Sequence, residues 1–294
     1  MTKIILLGGS GFIGKTILPI LQKENFQVVS LVNKKHPKST VSTFFGDICT
    51  PELLDSQLND DDIIINLIGQ YENNLSQFID NNILGAINIL NSVKKKKNIR
   101  IILISSISVY GENLQRPSKE FDTLNPKTTY GLVKLITEKI YQNYSKSNNM
   151  NITVLRLSTL YGPFKTTGFL VNLINSINNN MKTIVYNNGN QIRDMLFVED
   201  AVNGIIQAIK KPQKGFSIFN ISSGKQYKII DIIKIVEMIL QKNLPIELNT
   251  DIQNEICLSA DNSLAEAKLG FTPQISIEDG LRITIESMIK LNKK

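Results

Sequence analysis

The chain of 294 residues has no tryptophan, one histidine (His36) and two cysteines (Cys49 and Cys257). The cysteines form no CxxC pair and have no histidine near them. This argues against a Cys/His metal site, so no metal is expected, and it fits reduced cytosolic thiols. Any Ser-His-Asp triad would depend on His36, which lies in a Lys/Pro-rich stretch. There is no run of ~18 apolar residues, so no membrane-spanning helix is expected. The apolar stretch that starts at Ile4 ends at Leu7, before Gly8-Gly9, and is too short for the core of a secretory signal. A cytoplasmic setting is therefore expected. Charged residues make up 20% and hydrophobic residues 42%, which excludes wholesale disorder, collagen and a coiled-coil rod.

What is abundant is lysine, asparagine and isoleucine, and the net charge is +7. A basic surface can serve nucleic acid, but the densest run here has a plainer reading. Lys94-Lys95-Lys96-Lys97 follows an apolar helical pattern, where lysines in a last turn complement the helix dipole. No nucleic-acid or membrane partner is expected, and a homodimer is left open.

Strand and helix patterns alternate. Buried-strand runs occupy 3–7, 27–32, 62–67, 100–105 and 152–157, with a shorter one at 41–45. Helical periodicity fills 12–22, 75–93 and 128–144. This alternation predicts an α/β fold, a Rossmann-type doubly wound parallel sheet. Beyond about residue 160 the pattern loosens. We expect a dinucleotide-binding domain over 1–160, with segments of about 191–224 returning to it. A smaller substrate-binding domain would then be built from 161–190 and 225–294.

Gly8-Gly9-Ser10-Gly11-Phe12-Ile13-Gly14 follows the first strand and opens the first helix. Glycines at 8, 11 and 14 permit a tight turn, backbone approach to a pyrophosphate and close helix–strand packing. The helix N-terminus then faces the phosphates. Gly8, Ser10, Gly11, Phe12, Ile13 and Gly14 are thus expected to line a dinucleotide. A carboxylate ~20 positions on would hold the ribose 2′-hydroxyl of NAD. The chain instead reads Val32-Asn33-Lys34-Lys35. Either a 2′-phosphate meets Asn33 and these lysines, which would favour NADP over NAD, or the segment is a solvated loop. Asp47, in Gly46-Asp47-Ile48, could accept from an adenine amino group or merely cap the next helix.

Tyr130 and Lys134 stand four apart, on one helix face. The ammonium is expected to lower the phenol's pKa, making it usable as acid and base. Tyr161 and Lys165 repeat the spacing, but Pro163 lies between them and argues against a helix. Ser106 falls at the C-terminal end of the strand 100–105, where open α/β sheets bind ligands. It could hydrogen-bond a substrate oxygen that Tyr130 protonates.

With these motifs the chain resembles the extended short-chain dehydrogenases/reductases of the nucleotide-sugar epimerase/dehydratase family. The resemblance runs through GGSGFIG (8–14), GDI (46–48), DNN (80–82), SSISVYGE (105–112), YGLVK (130–134), LRLSTLYGP (155–163), RDMLFVEDAV (193–202), FNISSG (219–224) and LGFTP (269–273). It implies a catalytic trio of Ser106, Tyr130 and Lys134 with Asn81 in support, and Lys134 also on the nicotinamide ribose. It implies adenine contacts at Asp47 and Ile48, and a nucleotide-sugar bound under the C-terminal domain with Arg193 near its diphosphate. Two departures matter. Thr159 stands where the family often has Asn, and Ile107-Ser108 replaces the acidic pair of the 4,6-dehydratases, which argues against dehydration. The expected activity is reduction of a 4-keto nucleotide-sugar with NADPH. The alternatives are a 4-epimerase with tightly held NAD, or a dinucleotide-binding protein without turnover.

Overall fold

The computed structural model describes residues 2–32, 42–69, 74–113, 116–179, 181–251 and 257–292. Strands β1 (Lys3–Leu7), β2 (Gln27–Val32), β3 (Ser42–Phe45), β4 (Ile63–Asn66), β5 (Arg100–Ser106) and β6 (Asn151–Leu157) alternate with helices. These are α1 (Phe12–Lys23), α2 (Leu75–Ile79), α3 (Gly85–Val93) and α4 (Thr129–Asn148). The second half carries β7 (Thr159–Tyr161), α5 (Phe169–Asn179), β8 (Thr183–Val185), β9 (Ile192–Arg193), β10 (Met195–Phe197), α6 (Val198–Lys210) and β11 (Phe216–Ile221). It ends with β12 (Tyr227–Lys228), α7 (Ile229–Leu240), β13 (Ile246–Leu248), β14 (Cys257–Leu258), α8 (Ser263–Leu269) and α9 (Ile277–Asn292).

Seven strands form one sheet in the order β11-β6-β5-β4-β1-β2-β3, every pairing parallel. The doubly wound architecture is therefore as the sequence pattern predicts. Side chains alternate across a strand, so successive isoleucines feed two cores. Ile4, Leu6, Ile63, Ile65, Ile102 and Ile104 pack with α1, α6 and α8. Ile5, Leu7, Ile64, Ile101 and Leu103 pack with α3 and with Tyr141 of α4. A third core joins α5, α7 and α9 with Tyr161, Val185, Met195 and Phe197. Ala265, Leu269 and Phe271 pack in the first core beside Phe219 and Ile221 of β11. Residues 263–271 thus lie on the large sheet rather than in the third core.

The helical stretch 75–93 is not one α-helix. A π turn over Asp80–Leu84 separates α2 from α3. No helix among the described residues is long and apolar enough to cross a membrane.

Candidate functional site

The sheet order reverses between β1 and β4, each running outward from the same point, and a crevice opens at their carboxyl ends. The glycine-rich turn leaves β1 there. Gly8 has φ +86°, a left-handed conformation, and a Cβ on it would press on Leu67 and Ile68, just past β4. A Cβ on Gly14 would overlap the carbonyls of Gly8 and Gly9. The turn is therefore as tight as glycine alone permits. No side chain caps α1 at Gly11, so none satisfies the first-turn amides. Phe12 opens the helix, and Ile13 leans on the first core. Ser10 is half-buried in the turn.

Asp47 is exposed, and its Oδ1 accepts from the Cys49 amide at 2.9 Å. Ile48 is buried in the second core, and its carbonyl accepts from Asn88 Nδ2 at 3.0 Å. These two residues hold the loop beyond β3. Asn33 and Lys34 lie outside the described residues.

The predicted trio meets at the end of β5. Thr128 caps α4 by accepting from the Gly131 amide at 3.1 Å, which aims the first turn at the crevice. Tyr130 stands on that turn. Its ring stacks on Phe78 of α2 at 5.8 Å between centroids, and its phenol is hydrogen-bonded with the Ser106 side chain. Ser106 Oγ also accepts from the Ser108 amide at 3.2 Å. One turn on, the buried Lys134 donates to the carbonyls of Ile68 and Ile104, each at 3.3 Å.

The electrostatics differ from the expectation. Burial pushes the Tyr130 phenol up, and the Ser106 hydrogen bond only opposes this. Lys134 is itself brought down to about 8 by burial, against the upward pull of Glu138. The reason is geometric, since the ammonium is directed at two backbone carbonyls and is strongly desolvated.

Asn81 and Asn82 are placed differently. Asn81 is half-buried and accepts from Cys49 Sγ at 3.6 Å. Asn82 is 4% exposed and donates to the Phe78 carbonyl at 2.8 Å. A Cβ on Gly69, at φ +127°, would overlap both Lys134 Nζ and Asn82 Oδ1. Sequence reasoning missed Gly69 and Asn82. The available signal was phase: Asn82 lies four residues after the apolar Phe78, whereas Asn81 lies four after the polar Gln77.

A buried network anchors this helix. Arg156 holds Glu138 bidentately, Nε to Oε1 at 3.0 Å and Nη2 to Oε2 at 2.7 Å. Ser105 Oγ donates to Glu138 Oε1 at 2.5 Å, and Arg156 Nη1 donates to the Tyr110 hydroxyl at 2.8 Å. The second Tyr/Lys spacing is not a helical pair. Tyr161 lies in β7 with its ring edge-on to Phe197, and Lys165 follows in a loop.

Thr159 and Arg193 line one cavity of about 340 Å³, together with Tyr161, Lys165, Tyr186 and Gln191. Arg193 Nη1 donates to the Ile192 carbonyl at 2.8 Å. The neighbouring Asp194 is fully buried, accepts from the Ser223 amide and hydroxyl, and is raised to about 6 by desolvation.

Residues 4–222 match the model of the NAD dependent epimerase/dehydratase family. GDP-mannose 3,5-epimerase 1 of Oryza sativa subsp. indica is 27% identical, over 96% of this chain and 80% of that protein. A solved UDP-glucuronic acid 4-epimerase from Bacillus cereus, in complex with UDP-glucuronic acid and NAD, is 26% identical and covers 99% of this chain and 100% of its own, at a TM-score of 0.89. UDP-glucose 4-epimerase of Thermotoga maritima, 23% identical with a TM-score of 0.88 over 99% of this chain and 100% of its own, shares the fold. The chain belongs to the NAD-dependent epimerase/dehydratase family.

Proposed function

We propose that the protein interconverts nucleotide-linked sugars at carbon 4, as an epimerase that keeps NAD bound. One observation carries the reading. Ser106, Tyr130, Lys134 and Asn82 gather at the end of β5 and around Gly69, beside a glycine-rich turn whose shape fits a pyrophosphate. A bound nicotinamide would supply acceptance and return of hydride. Tyr130 would take the proton from the sugar hydroxyl and give it back. Ser106 would hold the same oxygen, and the Lys134 ammonium would support the phenolate and the ribose. Asn82, in place of Asn81, would fix Lys134 across Gly69. Thr159 and Arg193 would face the substrate, with Arg193 on its diphosphate.

The solved 4-epimerase at 26% identity supports epimerisation at carbon 4 over reduction, and the 3,5-epimerase relative supports epimerisation alone. The reductase reading has its own support, the missing carboxylate after Val32, and with it a preference for NADPH. Denaturing the purified protein and identifying the released dinucleotide tests the choice. Near-stoichiometric NAD is expected. An empty protein that binds NADPH more tightly than NADH would favour the reductase.

A further inference from the structure

Two cations line the cavity, Lys165 and Arg193, and among the described residues no aspartate or glutamate does. The two belong to different parts of the lining. Arg193 belongs to the small sheet β12-β9-β14. Lys165 reaches to the glycine-rich turn, its Nζ 5.0 Å from the centroid of the Phe12 ring. Phe12 opens α1, so Lys165 marks the cofactor end. Hydride transfer needs the reacting atoms ~3–3.5 Å apart, so a nucleotide-sugar must bring its sugar to this end. Its diphosphate then lies back toward Arg193.

Among the described residues no carboxylate offsets the charge of Lys165. Burial pushes its ammonium below the usual value, with no acidic group acting against that shift. Aromatic contact offsets part of the loss of water. Lys165 is half-buried, and a partly desolvated cation is favoured by a nearby anion, which a neutral hexose does not offer.

We propose that Lys165 reads an acidic group on the sugar ring, so that the substrate is a nucleoside-diphosphate-linked sugar acid. The proposal rests on the reading of this cavity as the nucleotide-sugar site. Hydroxyls of a neutral sugar would leave the ammonium unpaired, whereas a ring carboxylate would neutralise it next to the reacting carbon.

Calorimetric titration of the full chain tests this with four probes: UDP-glucuronate, UDP-glucose, UDP and NAD. The wild type should bind UDP-glucuronate about tenfold to a hundredfold more tightly than UDP-glucose, the worth of one charge-assisted contact. Lys165→Met should bring the two sugars within about threefold of each other while UDP and NAD bind as before. Lys165→Arg should restore part of the preference. Equal weakening of both sugars and of UDP would make Lys165 a diphosphate ligand and overturn the proposal, as would a matching loss of NAD affinity. A wild type that binds UDP but does not distinguish the sugars would overturn it while leaving the nucleotide-sugar reading intact. A wild type that binds none of the uridine compounds would remove both. If the Met variant does not fold, the wild-type ratio and the Arg variant decide.

Discussion

Asn81 and Asn82 are adjacent in sequence, and the fold gives them separate surroundings. Asn82 shares the space around Gly69 with Lys134, and Asn81 turns to Cys49. Asn82→Ala should therefore lower kcat by about tenfold to a hundredfold, within the usual worth of proton-transfer machinery. Asn81→Ala should stay within about threefold, and steady-state kinetics on the pair reads the difference. The reverse order would return the supporting role to Asn81. Asp194 gives a pH signature. Its folded pKa is raised from 3.8 to about 6. A raised acid contributes stability that is full below pH 3.8 and lost as pH rises through about 6. Asn mimics the protonated form and keeps the acceptor that Ser223 uses. The melting temperature of Asp194→Asn relative to wild type should therefore climb between pH 4 and pH 6.5. A flat difference would mean that Asp194 ionises freely in the fold.

Element by element, most of the site's scaffold was legible. The short apolar runs located the six strands of the dinucleotide-binding half, and the strand–glycine turn–helix succession at 3–14 located the turn. Thr128, Tyr130 and Lys134 fall where a capped helix on that face requires them. The π turn at 80–84 was not legible, because an extra residue in one turn leaves the apolar pattern nearly unchanged. That extra residue sets which asparagine faces Lys134. The Arg156–Glu138 pair was also hidden, since its partners come from β6 and α4 and meet only in the folded chain. It fixes α4 against the sheet, one turn beyond Lys134. Arg156→Met leaves a buried carboxylate without its partner, which costs about 3–5 kcal/mol. Urea unfolding should show that loss with little change in slope. A loss under about 1 kcal/mol would mean that water reaches Glu138.

For the whole molecule, pattern reading predicted a looser second half, and a third core there joins α5, α7 and α9. Residues 263–271 went unrecognised because a helix that serves the first core has the same periodicity as one that serves the third. On the opposite side, α3 and α4 pack together. Leu84, beside α3, Ile87, Leu132 and Ile136 are exposed there. We propose that this apolar face pairs with a second copy of the chain. Light scattering after size-exclusion chromatography should give a dimer for wild type and a monomer for Leu132→Glu/Ile136→Glu, with the fold retained by circular dichroism. A wild type that runs as a monomer would leave the face unpaired.

The central claim is that Tyr130 passes a proton to and from a nucleotide-sugar at carbon 4 with no net redox change. Proton NMR of the purified protein with UDP-glucuronate and UDP-glucose, without added cofactor, tests this most directly. The account predicts a mixture of the two C4 epimers from at least one of them. Tyr130→Phe should slow their formation by about 10²–10⁴-fold while the protein retains its dinucleotide. Sugar conversion that consumes one NADPH per turnover, or a phenylalanine variant as fast as wild type, would contradict it.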